Sequence, residues 1–523
     1  MKKQLCLFVA VITLVFSGCY KGDIDDLKDD VNKLKEQMAK YESLLTAMNN
    51  RLYITSYTSE NGKYNITLSD GTVLNVSDKP AFFSVSTTNT WLIDNVDTKV
   101  AVAATSPLIT IGTTGNWFID GKDAGIKSTI TNPSAFGIVA IAQLKETMLF
   151  VFGDGKTIQL KSLSPEVKIT VPAGGFNFDQ FRWVRITPDV EYDDNATYTW
   201  TVGNDTIGTT KQLMHIFAAP GAYGVRLTVK NGIGQGFQEI VVTVKQKAYS
   251  NAVTKVFEYF PAPGQFINEL PGYVEGDNAA AMALKAEKAL SGNSMICLGG
   301  FGGYVVMGFD HTIINQPGKP SFLVKGNAFA NWAEAGVISV SYDANGNGLP
   351  DDEWFEIAGS EYNNPRTVKN YTITYFKPDP NKNPTPNDEY PYLNDTTYIR
   401  WKDNQGKSGY LSKNSFHSQS YYPLWKGDSI SFTGTKLTDA TVYDKSGTGT
   451  YFVSEAFEFG YADNWSNTDE KAKIKLDWAV DKNGKPVKLK GIDFIKVHTG
   501  QRAEGGWLGE ISTEVAGVTD LNL

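Results

Sequence analysis

Apolar positions follow three successive patterns along this chain. From Leu5 to Phe16 they run almost unbroken, behind Lys2 and Lys3 and ahead of the small residues Ser17 and Gly18. From Ile24 they fall at Ile24, Leu27, Val31, Leu34, Met38, Tyr41, Leu45, Met48 and Leu52, in alternating steps of three and four. That spacing predicts the seam of a coiled coil of about four heptads. An apolar stripe on an otherwise polar helix needs a second surface to cover it. Two surfaces can serve: a further copy of the helix, giving a self-associating stalk, or the next domain, onto which the helix folds back. Beyond Leu52 the period drops to two. YNITLSDGTVLNV (64–76) and MLFVFGDGKTIQL (148–160) each set two alternating runs about an Asp-Gly pair, which predicts two β-hairpins. Between them, NTWLID and GNWFIDGKDAGIK repeat one pattern around Trp91 and Trp117.

Composition agrees with a strand-rich chain. Aromatic residues make up 12% and charged residues only 20%, with 49 Gly, 25 Tyr and 11 Trp. The length of 523 residues suggests about three or four domains. A net charge of −8 leaves no basic footprint to neutralise phosphates, which excludes nucleic acid as a partner. Of the three cysteines, Cys6 falls in the leader, Cys19 just after it, and Cys297 has no partner left. No disulfide framework is then available, and Cys297 reads as a small buried hydrophobe.

The first segment is a secretory leader, too short to span a membrane with ordinary flanks. Its end, FSGC, resembles a bacterial lipoprotein signal. The resemblance implies a signal peptide over 1–18 and acylation of Cys19; the alternative is an ordinary leader with a chance cysteine. Residues 19–53 then form an acidic tether and the coiled-coil stalk. Asp23, Asp25 and Asp26 resemble the export tag of Bacteroidota surface lipoproteins. This implies a lipid-anchored location on the outer membrane, facing the cell exterior.

Residues 54–164 read as a β-rich repeat or spacer module. Residues 165–247 carry Tyr198-x-Trp200, His215-x-Phe217, Pro220-Gly221-x-Tyr223 and a closing IVVTVK. This resembles the PKD family of immunoglobulin-like sandwiches, in which Trp200 would be the core tryptophan. His215, beside Phe217, reads as packed in the fold. Such domains set distance and orientation.

After the polar linker QKAYSNAV, residues 255–523 form one domain. A helix is predicted over 278–290 (NAAAMALKAEKAL). GYVVMGFD, GVISVSYD, YTITYFKP, SISFTGT and IDFIKVHTG read as strands. Short strands with large aromatic loops predict a jelly-roll-like β-sandwich. The whole chain is therefore expected to be mainly β: an N-terminal coiled-coil helix, small β modules, an immunoglobulin-like sandwich and the C-terminal sandwich.

Two constellations in the last domain carry chemistry. The first is the loop holding Asp343, Asn345, Asn347, Asp351 and Glu353, with oxygen donors at alternate positions. Calcium needs such a dense oxygen shell. The loop begins as D-x-N-x-N-G, but Trp354 stands where an EF-hand has its bidentate Glu, so Glu353 or Asp352 would substitute. A metal-free Asn/Gly/Asp turn explains the same residues. The second is a set of aromatic loops, with Phe329, Trp332, Trp354, Trp401, Phe416, His417, Tyr421, Tyr422, Trp425, Trp465 and Trp507. Exposed, they suit a planar ligand or a sugar face; turned inward, they are core.

Catalytic signals are lacking. Asp310, Glu334, Glu353, Glu356 and Glu361 could pair for glycoside hydrolysis, but the sequence does not fix their separation. G-x-S-x-G, H-E-x-x-H and P-loop motifs are missing, and the four histidines (215, 311, 417 and 498) stand singly. The chain reads as a binding protein, not an enzyme.

LGGFGGYVVMGFDHTI, GNAF, SYDANGNGLPDDEWFEIAGSEY, FHSQSYYPLW, GYADN and GWLGEISTEVAGV run through residues 255–523. They resemble cell-surface lipoproteins of gut Bacteroidota, the cobalamin-binding accessory proteins of TonB-dependent vitamin B12 uptake (BtuH type). The resemblance implies capture of corrinoids outside the cell and hand-over to a TonB-dependent outer-membrane transporter. Cobalamin would be cargo, not a catalytic cofactor. The resemblance supplies no residue-level motif for the site. On chemistry alone the candidates are Asn327, Phe329, Trp332, His417, Tyr421, Tyr422 and Trp425. Their rings would stack on the corrin or its base while Asn pairs with amides. His417 would hydrogen-bond, pack, or approach the cobalt. A glycan-binding or adhesive surface lipoprotein would use the same platforms, with calcium, and is the alternative.

Overall fold

The computed structural model describes residues 2–103, 107–130, 134–292 and 294–523, with side chains from Gly22 onward. It divides into two compact units: Met1–Phe176, Arg185–Met214 and Ala222–Val242; and Asn177–Val184, His215–Gly221 and Thr243–Leu523. The chain is mainly β, with one long N-terminal helix and many small sheets.

In the first unit, α1 (Lys2–Asn49) runs unbroken through the N-terminal apolar segment and the heptad positions up to Met48. The side chain of Cys19 lies outside the described residues. Among those described, no helix is long and apolar enough to cross a membrane. The stripe divides in two. Its later positions Tyr41, Leu45 and Leu52 are half-buried against the strands that follow, beside Leu44 and Ala47, which lie off the stripe and are buried, while Met48 is exposed. The Tyr41 ring meets Phe152 edge-on at 4.9 Å. Ile24, Leu27, Val31, Leu34 and Met38 remain exposed. The helix thus folds back over its last turns only and leaves its leading face open.

Those strands form a nine-stranded sheet. Both Asp-Gly hairpins are present, as Lys63–Leu68 with Val73–Val76 and Thr147–Phe152 with Thr157–Ser162. Gly71 and Gly155 take φ of +83° and +81°, which the turns require and glycine adopts without strain. The tryptophan repeat is structural. Trp91 (Thr90–Ile93) and Trp117 (Asn116–Ile119) are both buried. Asp94 accepts the Phe82 amide at 2.9 Å and Asp120 accepts the Leu108 amide at 2.8 Å, one turn built twice. Further on, Thr197–Val202 pairs with Asp205–Gly208 and with Gly221–Lys230. Trp200 is fully enclosed there, and its indole N–H donates to the Thr210 carbonyl at 3.0 Å.

The second unit centres on a six-stranded antiparallel sheet. Its spatial order is Lys255–Phe260, Tyr304–Ile314, Gly491–Thr499, Gly336–Ser341, Trp354–Ile357 and Ala479–Val480. One face packs Val305, Met307, Ile338, Val340, Ile495 and Val497 against α2 (Ala279–Ser291) and a small sheet bearing Phe322, Val324 and Val518. Asn278 caps α2 by accepting the Ala281 amide at 3.0 Å. The other face meets a four-stranded sheet, Ser408–Asn414, Leu393–Asp403, Val368–Phe376 and Ser429–Lys436. Phe260 and Phe432 touch across that interface at 5.0 Å. At one end of the central sheet four strands begin or finish together: Phe260, Tyr304, Gly336 and Thr499 lie side by side.

Candidate functional site

The loops at that end enclose a cavity of about 370 Å³. It is built from the segment after Phe260 (Gln265, Phe266), the approach to Gly336 (Asn327, Trp332, Glu334), the turn after Asn414 (Phe416, His417) and the run after Thr499 (Trp507 to Glu514). Its rim is aromatic. Trp332 stacks on Phe329 at 5.5 Å and 19°, and meets Trp507 edge-on at 6.1 Å. His417 stands edge-on to Phe266 at 4.7 Å. Backbone bonds between Phe329 and Trp332, with Asn331 at φ +66°, make the tight turn that presents both rings.

The floor is acidic. Glu334, Glu510 and Glu514 line the cavity, and oxygens of Glu334 and Glu514 lie within 4.8 Å of each other and of the enclosed Asp463. Asp463 Oδ1 accepts the amides of Asn327 (2.8 Å) and Ala328 (2.9 Å), and Oδ2 accepts that of Glu514 (2.9 Å). Glu334 accepts the Ser512 amide at 3.0 Å, and Ser512 Oγ donates to Glu514 at 3.1 Å. Glu510 accepts the Gln265 amide through Oε1 at 2.6 Å; its Oε2 is buried without a partner. Gly326 is required here, since a Cβ would stand 2.1 Å from Asp463 Oδ1. Burial pushes the carboxyl groups of Asp463, Glu334, Glu510 and Glu514 upward, and for Asp463 and Glu514 the charges of their acidic neighbours push the same way. Among the described residues no Lys, Arg or His forms an ion pair with any of the four.

Of the residues singled out from sequence, Asn327, Trp332 and His417 line this cavity, and Phe329 stands at its rim. Three others lie elsewhere. Tyr421 and Tyr422 are buried beneath the four-stranded sheet with Tyr371 and Phe432. Tyr422 Oη donates to the Gly427 carbonyl at 2.7 Å, and Tyr421 Oη donates to Asn414 at 3.1 Å. Trp425 is stacked between Tyr259 and Tyr273 at 6.1 and 6.0 Å. These rings fill the core because the chain dives inward between Ser420 and Trp425, a change that no period in a loop announces. Asp463, Glu510 and Glu514 were not anticipated. They stand in GYADN and GWLGEISTEVAGV, stretches with more Gly and polar residues than a strand needs.

The other carboxylates considered for hydrolysis are dispersed. Glu356 pairs with Lys369 at 2.8 Å, and Asp310 stands 2.9 Å from His311. The acidic loop is closed by its own bonds. Asp343 accepts the amides of Gly346 (2.7 Å) and Gly348 (3.2 Å), while Asn345 and Asn347 donate to Asp351 at 3.0 and 2.8 Å. Asn345 and Asn347 Oδ1 in turn accept the amides of Asn347 and Leu349. The donor set fits a hard cation, with Asp343 and Asp351 supplying charge, and equally fits a turn that holds itself. Glu353 contributes its carbonyl to Ser341 Oγ at 2.8 Å. A larger hollow of about 720 Å³ in the first unit, lined by Val85, Gln143 and Glu146 among others, gathers no comparable cluster of acids.

Residues 168–244 match the PKD domain family. No curated protein matches the chain. Among solved structures, the fibronectin(III)-like modules of CbhA from Clostridium thermocellum align at 16% identity over 19% of this chain and 60% of theirs, with a TM-score of 0.15. A quinonprotein alcohol dehydrogenase-like protein from Bacteroides thetaiotaomicron aligns at 19% identity over 18% of this chain and 23% of its own, with a TM-score of 0.13. A carbohydrate-binding module of the β-sandwich superfamily aligns at 10% identity over 68% and 97%, with a TM-score of 0.14. The chain thus spans less than two thirds of the first two.

Proposed function

We propose that this protein is an outer-membrane lipoprotein, anchored through Cys19 and facing the exterior, whose C-terminal domain captures a small molecule without transforming it. The ligand is cobalamin or a related corrinoid, passed on to a TonB-dependent transporter. The observation that supports this reading is the convergence of Asn327 and Trp332 with His417, 85 residues beyond Trp332, on one aromatic cavity with hydrogen-bonding groups beneath it. A corrinoid is broader than this cavity. One amide-bearing edge would enter toward the acidic floor, and the ring or its base would rest on Phe329, Trp332 and Trp507. Apolar walls with a few convergent polar groups are the usual make-up of a ligand site. The PKD-like domain and α1 then serve as spacer and stalk.

A glycan is the second reading, favoured by the cavity's size. About 370 Å³ lies near the low end of the roughly 300–1,000 Å³ range of ligand pockets. Aromatic faces above carboxyl groups also suit a sugar ring. Isothermal titration of the chain from Gly22 onward with cyanocobalamin separates the two. Near-stoichiometric binding that Trp332→Ala weakens supports the corrinoid. Heat-silent titration up to high micromolar ligand, with signal on a glycan array, replaces it with the sugar.

A further inference from the structure

Asp463 is solvated by donors alone. Two backbone N–H groups point at Oδ1 and one at Oδ2, three donors for a carboxylate with about four acceptor sites. Hydrogen bonding of this kind favours the anion. Yet Asp463 is 2% exposed, with Glu514 (2%) and Glu334 within 4.8 Å, and no side-chain cation pairs with them among the described residues. A buried carboxylate must be paired, bound to a metal or neutralised by a proton, and one metal ion would satisfy all three carboxylates at once. In addition, Glu510 lines the same cavity, is only 4% exposed and has one carboxylate oxygen buried without a partner.

We propose that Glu334, Asp463 and Glu514 form a calcium site in the floor of the cavity, with Glu510 beside it. All the donors are hard oxygens. Calcium binds oxygen at about 2.3–2.6 Å, so ligands on opposite sides stand up to about 5 Å apart, which accommodates the 4.8 Å spread; magnesium, at about 2.0–2.1 Å, draws its ligands closer. The amides of Asn327, Ala328, Ser512 and Glu514 orient the carboxylates from behind, as partners of metal ligands do. Calcium accepts six to eight oxygens. The protein supplies fewer, so the open positions face the cavity between Trp332 and Trp507. The ion therefore selects ligands with oxygen donors, such as paired hydroxyls or amide carbonyls, beside a flat apolar face. The site is separate from the loop of Asp343 and Asp351 and does not depend on which ligand is captured.

The test uses the chain from Gly22 onward, stripped with chelator, in an Asp343→Asn/Asp351→Asn background that silences the loop. Calorimetric titration with calcium chloride is expected to show one remaining ion. Adding Glu334→Gln and Glu514→Gln should weaken it at least a hundredfold. Terbium should replace calcium, and its emission excited through tryptophan should drop several-fold in Trp332→Phe/Trp507→Phe. No ion in the loop-silenced chain overturns the proposal, as does an ion that persists in the glutamine variants. If those variants do not fold, the terbium signal decides: emission unchanged by the tryptophan substitutions sinks the site. Cyanocobalamin binding, measured separately, reports on the capture reading alone.

Discussion

His311 Nε2 lies 2.8 Å from Asp520 Oδ2, inside a fully enclosed setting. Its Nδ1 stands 2.9 Å from Asp310. The contact ties the long strand Tyr304–Ile314 to Gly517–Asp520. Burial works to lower the imidazole pKa, but the two carboxylates outweigh it and hold the pKa raised. A raised folded value gives stability that is complete below the unfolded value of about 6.5 and is lost as pH rises through the folded one. His311→Gln is expected to cost about 3–5 kcal/mol at pH 5.5, because Asp520 is left buried without its cation, and less at pH 9. Denaturant melts at the two pH values check this. An equal loss at both would remove the charged imidazole from the account.

His498 behaves in the opposite sense. Burial pushes its pKa down to about 4, and the ring donates from Nε2 to the Thr435 carbonyl at 3.2 Å. The unfolded chain takes up this proton first, so the contribution is complete above about 6.5 and is lost as pH falls toward about 4, by roughly 3 kcal/mol. His498→Gln should flatten that part of the pH profile. Thermal melts between pH 7 and 4 that stay parallel to the parent would contradict it.

Trp332 and Tyr422 should separate function from folding. Trp332→Ala removes a rim ring and is expected to weaken ligand at least tenfold with little change in melting temperature. Tyr422→Ala empties a fully buried site and should cost about 3–5 kcal/mol of stability. Titration and melting of both variants, side by side, read the difference.

The acidic loop gives a calcium prediction of its own. If the loop binds the ion, saturating calcium at about 100 times its Kd adds about 2.7 kcal/mol to stability. Asp343→Asn/Asp351→Asn should abolish the loop's share. Melts with calcium and with chelator that coincide for the parent chain would leave the loop as a self-held turn.

The exposed face of α1 predicts association. Ile24, Leu27, Val31 and Leu34 need cover, whereas Leu44 and Ala47 already have it. Leu27→Glu/Leu34→Glu is expected to convert an oligomer to a monomer in analytical ultracentrifugation, without unfolding the strands. An unchanged mass for parent and variant would mean the stripe has no second copy.

What the sequence made legible follows from period and turn chemistry. The hairpins about Gly71 and Gly155, the capped helix after Asn278 and the buried Trp200 were readable because each has a local cause. The two fates of the heptad stripe were readable as alternatives, and the helix takes the second over Tyr41, Leu45 and Leu52 only, with Leu44 and Ala47 buried beside them. The rim was half readable: Trp332 and His417 face the cavity, whereas Tyr421, Tyr422 and Trp425 do not. Whether a loop aromatic faces inward depends on neighbours hundreds of residues away. The acidic floor was hidden for the same reason. Glu334, Asp463 and Glu514 meet only after three separate segments close on one end of the sheet.

The strand Gly491–Thr499, at the middle of the six-stranded sheet, comes after all its sheet neighbours in the chain. Tyr304–Ile314 and Gly336–Ser341 each pair with it rather than with each other. A ribosome that has made the first four-fifths of this domain has therefore made two half-sheets with no centre. They can close only when the last strand arrives, across sequence separations that make closure slow. The nascent domain stays open and threadable until synthesis is nearly finished.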